Sequence, residues 1–196
     1  MMRLMPALLA ACLAGPALAD DLDDRATAIF SAAYQEACSG AFLEDGRLIE
    51  PPQRFAMTSP SSYGGDPAPM VLWLFRCNIG AYNVQSVALA YSEMNGVIPL
   101  HFATPDLNIV LEDPEDYESA VKEVQIMGWS ATPFLVNAEV DAAAGELRQV
   151  GYWRGIGDAS DMAVWRLADE AFRLIRYEVD ASYDGAVNPE VLVTFP

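Results

Sequence analysis

The last third of the chain alternates short apolar segments with turn-forming residues, and this pattern constrains the fold more than any other feature. Segments of strand length occupy residues 134–140, 147–154, 163–167 and 171–179, and each connection between them is short. Closely spaced strands joined by short turns pair with their neighbours in sequence. We therefore expect a mainly β (α+β) fold whose body is an antiparallel β-meander.

One N-terminal helix is predicted before this β-rich body, over residues 20–40. Asp21 or Asp23 can cap its first turn, and Gly40 provides a stop. Spacings of three and four place a set of apolar residues on one helix face. This set comprises Ala26, Ile29, Phe30, Ala33, Tyr34 and Ala37. We expect that face to pack on a sheet.

The segment between the helix and the meander is predicted to be irregular at first and then β-rich. Turn formers dominate residues 42–69, with one short strand near residues 54–57. The Asn95-Gly96 pair predicts a hairpin between two of the strands that follow. Those later strands are predicted at residues 70–77, 82–91, 97–102 and 107–111.

An acidic segment, Glu112-Asp113-Pro114-Glu115-Asp116 with Glu118, is predicted to form a solvated turn that leads into a strand near residues 124–128. The alternative is a helix to Val124 with Asp113 as its cap. Calcium favours several oxygen ligands, but the segment lacks the alternating spacing and the glycine of a dedicated calcium loop. No metal site is therefore predicted there.

The first 19 residues have the parts of a cleavable signal peptide: Arg3, an apolar run over residues 4–13 and Ala17-Leu18-Ala19 as a small-x-small ending. The apolar run is too short for a membrane span, which needs about 20 residues. Residues 20–196 would then form a single exported domain, and we expect a periplasmic location. A lipoprotein with a lipid on Cys12 is the alternative.

Two cysteines, Cys38 and Cys77, are left after removal of the signal peptide. An even pair in an exported chain predicts a disulfide. The two are not in a Cys-x-x-Cys arrangement, so a structural bond is favoured over a redox-active one.

Acidic residues far outnumber basic ones, with 28 Asp and Glu against 11 Lys and Arg and a formal net charge of −17. Nucleic acid is an improbable partner, because its phosphates would be repelled. A basic protein, a cationic peptide or a divalent cation would be attracted. The alternative is that the charge serves solubility only.

Three stretches of the sequence, residues 75–83, 153–159 and 165–174, resemble bacterial exported proteins grouped as domain of unknown function 1176. The resemblance covers roughly residues 70–196. The family has a cysteine where this chain has Ala159, and a further family cysteine is missing near residues 182–185. The resemblance implies an exported, mostly β domain, and it implies no activity.

Four residues are candidates for a binding site: Trp153, Arg154, Asp158 and Trp165. The Gly155-Ile156-Gly157-Asp158 segment admits two interpretations. In the structural one, the glycines take positive φ and Asp158 bonds backbone amides in a tight turn. In the functional one, the segment is a binding loop beside Tyr152.

Catalytic chemistry has little support in the sequence. His101 is the only histidine, and its apolar segment predicts a packed or edge position in a strand. A histidine-dependent triad or a zinc site would need it, so we expect no catalytic residue, metal or cofactor. We expect a non-enzymatic binding or inhibitory module with a basic protein or another cationic partner. The alternatives are a structural cell-envelope component and a carboxylate-based hydrolase of envelope polymers.

Overall fold

The structure, a computed structural model, describes residues 16–116 and 119–196. Within these ranges there are one α-helix, α1 (Pro16–Tyr34), a 3-10 turn at Ser39–Ala41 and twelve β-strands. The strands are β1 (Gln53–Ser59), β2 (Ala68–Ile79), β3 (Val84–Ser92), β4 (Gly96–Pro99), β5 (Phe102–Leu111), β6 (Val121–Thr132), β7 (Phe134–Val136), β8 (Glu139–Asp141), β9 (Glu146–Tyr152), β10 (Ser160–Ala168), β11 (Ala171–Asp180) and β12 (Glu190–Thr194). The predicted mainly β fold with one N-terminal helix is confirmed.

The first sheet has the order β1-β2-β3-β4, with every pair antiparallel. The outer edge of β3 carries two short strands, because β4 pairs with its second half and β7 with its first half. Gly96 has a φ of 66° in the turn between β3 and β4, so the predicted Asn95-Gly96 hairpin is confirmed.

The second sheet has the order β12-β11-β10-β9-β8 and is antiparallel throughout. This is the meander that the turn spacing predicts. Asp169 and Glu170, both with positive φ, form the two-residue turn between β10 and β11. β12 was not predicted.

A two-stranded sheet of β5 and β6 completes the β structure. The chain between them turns at Glu112–Glu115, so the predicted acidic turn followed by a strand is confirmed.

Glu118 lies outside the described residues, as do Arg3 and Cys12. No helix in the described ranges is long and apolar enough to cross a membrane.

The first sheet is buried on both faces, which explains the continuous apolar run of β2. Trp73 and Phe75 face α1 and contact a cluster that includes the fully buried Phe30. Leu72 and Leu74 face the opposite way and pack with side chains of the second sheet. The molecule is therefore layered, with α1 on one face of the first sheet and the second sheet on the other.

The disulfide between Cys38 and Cys77 ties the chain after α1 to β2, as predicted. The helix ends at Tyr34, earlier than predicted, and the chain then turns through Ser39–Ala41. Gly40 is required for a different reason from the predicted helix stop. A Cβ there would lie 3.0 Å from Oδ1 of Asn78, which accepts a hydrogen bond from the Gly40 amide.

Two predictions about strands are wrong. Residues 134–140 do not form one strand, because the chain leaves the first sheet after β7 and joins the second sheet at β8. The break occurs at Asn137, whose φ is 44°. His101 is neither packed nor in a strand. It is exposed in the short connection between β4 and β5.

Candidate functional site

Two loops that are far apart in sequence meet at one end of the two sheets. The first follows β2 and contains Tyr82 and Asn83, and the second follows β9 and contains Trp153 to Asp158. The Tyr82 hydroxyl donates a hydrogen bond to the Trp153 carbonyl at 3.3 Å. The Asn83 side chain bonds the backbone of Tyr152. The loops therefore form one surface.

Asn137 fixes the distance between these loops. Its Oδ1 accepts a hydrogen bond from the Val84 amide at 2.8 Å. Its Nδ2 donates to Oδ1 of Asn83 and to the Val150 carbonyl, both at 2.9 Å. Asparagine tolerates the positive φ at this position better than most residues do. One side chain thus joins the first sheet to the second at the base of the site.

Each glycine of the Gly155-Ile156-Gly157 segment lies against a tyrosine ring. A Cβ on Gly155 would be 3.5 Å from the Tyr82 ring, and a Cβ on Gly157 would be 3.4 Å from the Tyr152 ring. Gly157 also has a φ of 74°, a conformation that favours glycine. Ile156 between them is exposed. The segment is thus a tight turn in which Gly157, but not Gly155, has the positive φ that the structural interpretation expects, and the binding-loop interpretation stays a prediction.

Arg154 and Asp158 hold a third loop, residues 183–187, beside the other two. Nε of Arg154 donates to Oδ1 of Asp158 at 2.6 Å, and an Arg154 Nη donates to the Tyr183 carbonyl at 2.8 Å. The buried Asp158 also accepts a hydrogen bond from the Gly185 amide at 2.9 Å. The hydrogen bond from Arg154 holds the pKa of Asp158 well below its usual range. Asp158 is thus a charged structural anchor.

Trp153 is half-buried and packs against the core between the sheets. Its indole N–H donates to Oδ1 of Asp161 at 2.9 Å, and Gln149 donates to the other oxygen at 3.4 Å. Burial raises the pKa of Asp161, although these hydrogen bonds oppose the rise. Burial, together with the Asp161 charge, raises the pKa of Tyr177. Trp153 therefore supports the site from beneath.

Trp165 lies elsewhere, in the core between the second sheet and β5. Its side chain is fully buried, and its indole N–H donates to the Ala103 carbonyl at 2.9 Å. Its ring packs edge-on against Phe102, with the centroids 5.1 Å apart. The structure thus brings Trp153, Arg154 and Asp158 together and keeps Trp165 apart from them.

The three loops enclose an open groove of about 460 Å³, which we call the tyrosine groove. Ile156 and Val187 at its rim are 72% and 71% exposed. Sequence reasoning did not identify Tyr82 or Val187 as site residues. Tyr82 lies within a stretch that carries the family resemblance, whereas nothing local marks Val187. The groove is lined by Tyr82, Tyr152, Gly155, Ile156, Gly157 and Val187.

A second cleft, of about 470 Å³, opens between the two sheets and is lined in part by Glu50, Arg76 and Glu139. Arg76 is paired with Glu50, with 2.7 Å between Nε and the carboxylate oxygen. In the described part of the chain, no group of three or more His, Cys, Asp or Glu side chains is placed to hold a metal ion.

No protein-family model, curated protein or solved structure matches the chain. The resemblance to domain of unknown function 1176 stays a prediction.

Proposed function

We propose that this protein is an exported, non-enzymatic binding module whose tyrosine groove receives a cationic segment of a partner protein or peptide. The observation that carries the proposal is the pair of exposed tyrosine rings, Tyr82 and Tyr152, which lie against Gly155 and Gly157 in a strongly acidic chain. Aromatic faces attract Lys and Arg side chains through cation–π contacts. The aliphatic stems of those side chains would pack on Ile156 and Val187.

Rigidity of the groove supports a binding role. The loops are joined by hydrogen bonds from Asn83, Asn137 and Arg154, so little conformational freedom is left to lose when a partner binds. A preorganised surface retains more of its contact energy as affinity. An exposed apolar rim on such a surface is typical of an interaction site.

The charge balance supports a cationic partner. The chain has 17 more Asp and Glu side chains than Lys and Arg side chains, so pairing within the chain leaves an excess of negative charge. Arg154, the cation beside the groove, is engaged by Asp158 and lies 5.0 Å from the centroid of the Tyr183 ring. Asp184, in the loop that carries Val187, is exposed. The net negative charge of the chain therefore favours positive ligands.

The disulfide supports an oxidising compartment, since such bonds persist outside the cytosol. The predicted signal peptide points the same way. A periplasmic location is accordingly part of the proposal.

The proposal is tested with a fluorescent peptide of alternating lysine and leucine. Ile156→Lys should weaken its binding about ten-fold, because a like charge is placed in the groove. Met94→Lys is the matched control. Met94 is 83% exposed in the turn at the far end of β3 and receives the same charge change.

Salt provides the second arm of this experiment. Binding to the unmodified protein should weaken from about 50 mM to about 500 mM NaCl, because exposed charges are screened. Equal loss of affinity in Ile156→Lys and Met94→Lys would show that the peptide recognises the overall charge only, and the assignment to the groove would fail. An absence of binding at low salt would reject a cationic partner.

A further inference from the structure

The strand β6 has one edge without a partner among the described residues. β5 pairs along its other edge from Leu111 back to Phe102. An open strand edge is a template for pairing with another chain, and natural proteins commonly protect such edges with charged residues. Three of the other outer strands follow that rule, since β1 contains Arg54, β8 contains Glu139 and Asp141, and β12 contains Glu190. The outer strands β4 and β7 contain no charge, but they are only four and three residues long, and short edge strands are protected in another way.

The second half of β6 departs from this rule. Residues 124–138 contain no charged side chain and no histidine, although one residue in five of the chain is charged. Met127 and Trp129 on this stretch are 70% and 50% exposed. This half of the open β6 edge is thus uncharged and partly apolar.

The pairing with β5 shows which backbone groups of β6 point outward. Pro105 lies opposite Trp129 and has no N–H to donate, and the Ala103 carbonyl, opposite Ala131, is taken by the Trp165 indole. Antiparallel pairs alternate between hydrogen-bonded and non-hydrogen-bonded types. Both observations assign Trp129 and Ala131 to non-hydrogen-bonded pairs. Their own N–H and C=O groups therefore face the open edge.

We propose that a second copy of this chain pairs with β6 in an antiparallel arrangement centred on Ser130. Trp129 of each copy would exchange backbone hydrogen bonds with Ala131 of the other, and Ser130 would face its own equivalent. The large Trp129 ring would then cover the small Ala131 side chain across the interface. The two β5–β6 hairpins would form one four-stranded sheet.

A second copy fits this edge better than a different partner for two reasons. Antiparallel pairing of one strand with itself is two-fold symmetric, the arrangement that closes a dimer. Two chains of formal charge −17 repel each other, so they approach most easily along an uncharged segment. A cationic partner would be drawn to other surfaces.

The dimer is independent of the tyrosine groove, and salt distinguishes the two. Screening reduces the repulsion between acidic copies, so dimerisation should strengthen as salt is added, whereas binding of a cationic ligand should weaken. Failure of one proposal therefore leaves the other testable.

Sedimentation equilibrium at low and high salt tests the dimer. We expect a monomer–dimer equilibrium that tightens at high salt. Ser130→Glu should raise the dimer dissociation constant at least about ten-fold, because it sets like charges opposite each other. Asn108→Glu, an exposed position on β5, makes the same charge change away from the edge and should have little effect. A protein that stays monomeric at high salt overturns the proposal.

Ser130→Cys tests the register independently of affinity. Opposed residues of a non-hydrogen-bonded pair have Cα atoms about 4.5 Å apart, within the range of a disulfide. Mild oxidation should link Ser130→Cys into a covalent dimer and leave Asn108→Cys monomeric. Equal cross-linking of the two variants would contradict the pairing.

Discussion

The side chain of Asn83 pairs with the backbone of Tyr152 in both directions. Its Nδ2 donates to the Tyr152 carbonyl at 2.7 Å, and its Oδ1 accepts from the Tyr152 amide at 3.1 Å. The side-chain amide of Asn83 thereby makes the two hydrogen bonds to Tyr152 that the backbone of a neighbouring strand would otherwise make at the end of β9. Because Tyr152 lines the tyrosine groove, this pair fixes one of its two aromatic walls.

Asn137→Ala should lower the free energy of unfolding by about 2–4 kcal/mol, because several hydrogen bonds between the two sheets lose their partner. Chemical denaturation in urea measures the change. Asn108→Ala is the control, since its exposed side chain makes one 3.3 Å bond to Gln125. The control should change stability by less than about 0.5 kcal/mol. Similar losses in both variants would contradict the role assigned to Asn137.

Gly157→Ala should lower stability by about 1–2 kcal/mol, because the residue has a φ of 74°. It should also weaken peptide binding, since the new methyl group would lie 3.4 Å from the Tyr152 ring. Gly64→Ala is matched to it, with a φ of 81° and open space around the added atom. Denaturation should show comparable losses of stability, and peptide titration should show weaker binding for Gly157→Ala alone. Unchanged binding would place the ligand elsewhere.

Asp158 should make stability depend on acid pH. Its folded-state pKa is lowered, so its contribution is fully present above the unfolded pKa of about 3.9 and is lost as pH falls further. Asp158→Asn should lower the melting temperature at pH 7 and flatten the decline below about pH 4. Glu44→Gln, which removes an exposed carboxylate, serves as the control. Identical pH profiles for the two variants would refute the anchoring role.

The disulfide should contribute about 4 kcal/mol by the loop-entropy relation, since it closes a loop of 39 residues. Urea denaturation with and without reductant measures this contribution. The double substitution of Cys38 and Cys77 by alanine should match the reduced protein and respond to no reductant. A reduced protein as stable as the oxidised one would contradict the prediction.

Local sequence patterns predict those parts of the fold that depend on local geometry. The period of α1, the turn at Asn95-Gly96 and the meander spacing each arise from neighbouring residues. The break at Asn137 does not, because it depends on hydrogen bonds to Asn83 and Val84, more than 50 residues away. The end of α1 at Tyr34 also depends on a distant residue, because the chain after it turns toward Cys77, to which Cys38 is bonded.

The candidate site is predictable in part for the same reason. The Gly155–Asp158 segment has a local signature, but Tyr82 and Val187 are 105 positions apart and meet only in the folded chain. The sequence does not show which of Trp153 and Trp165 belongs to the site and which to the core, since both are aromatic residues in or beside strands. The sheet register decides which of them enters the core.

The most direct test of binding at the tyrosine groove is to map the lysine–leucine peptide onto the protein by nuclear magnetic resonance. We expect the amide signals of Gly155, Ile156 and Gly157, together with that of Val187, to shift on titration at low salt and to return at high salt. Shifts confined to the acidic turn near Asp113, with the signals of the tyrosine groove unmoved, would contradict it.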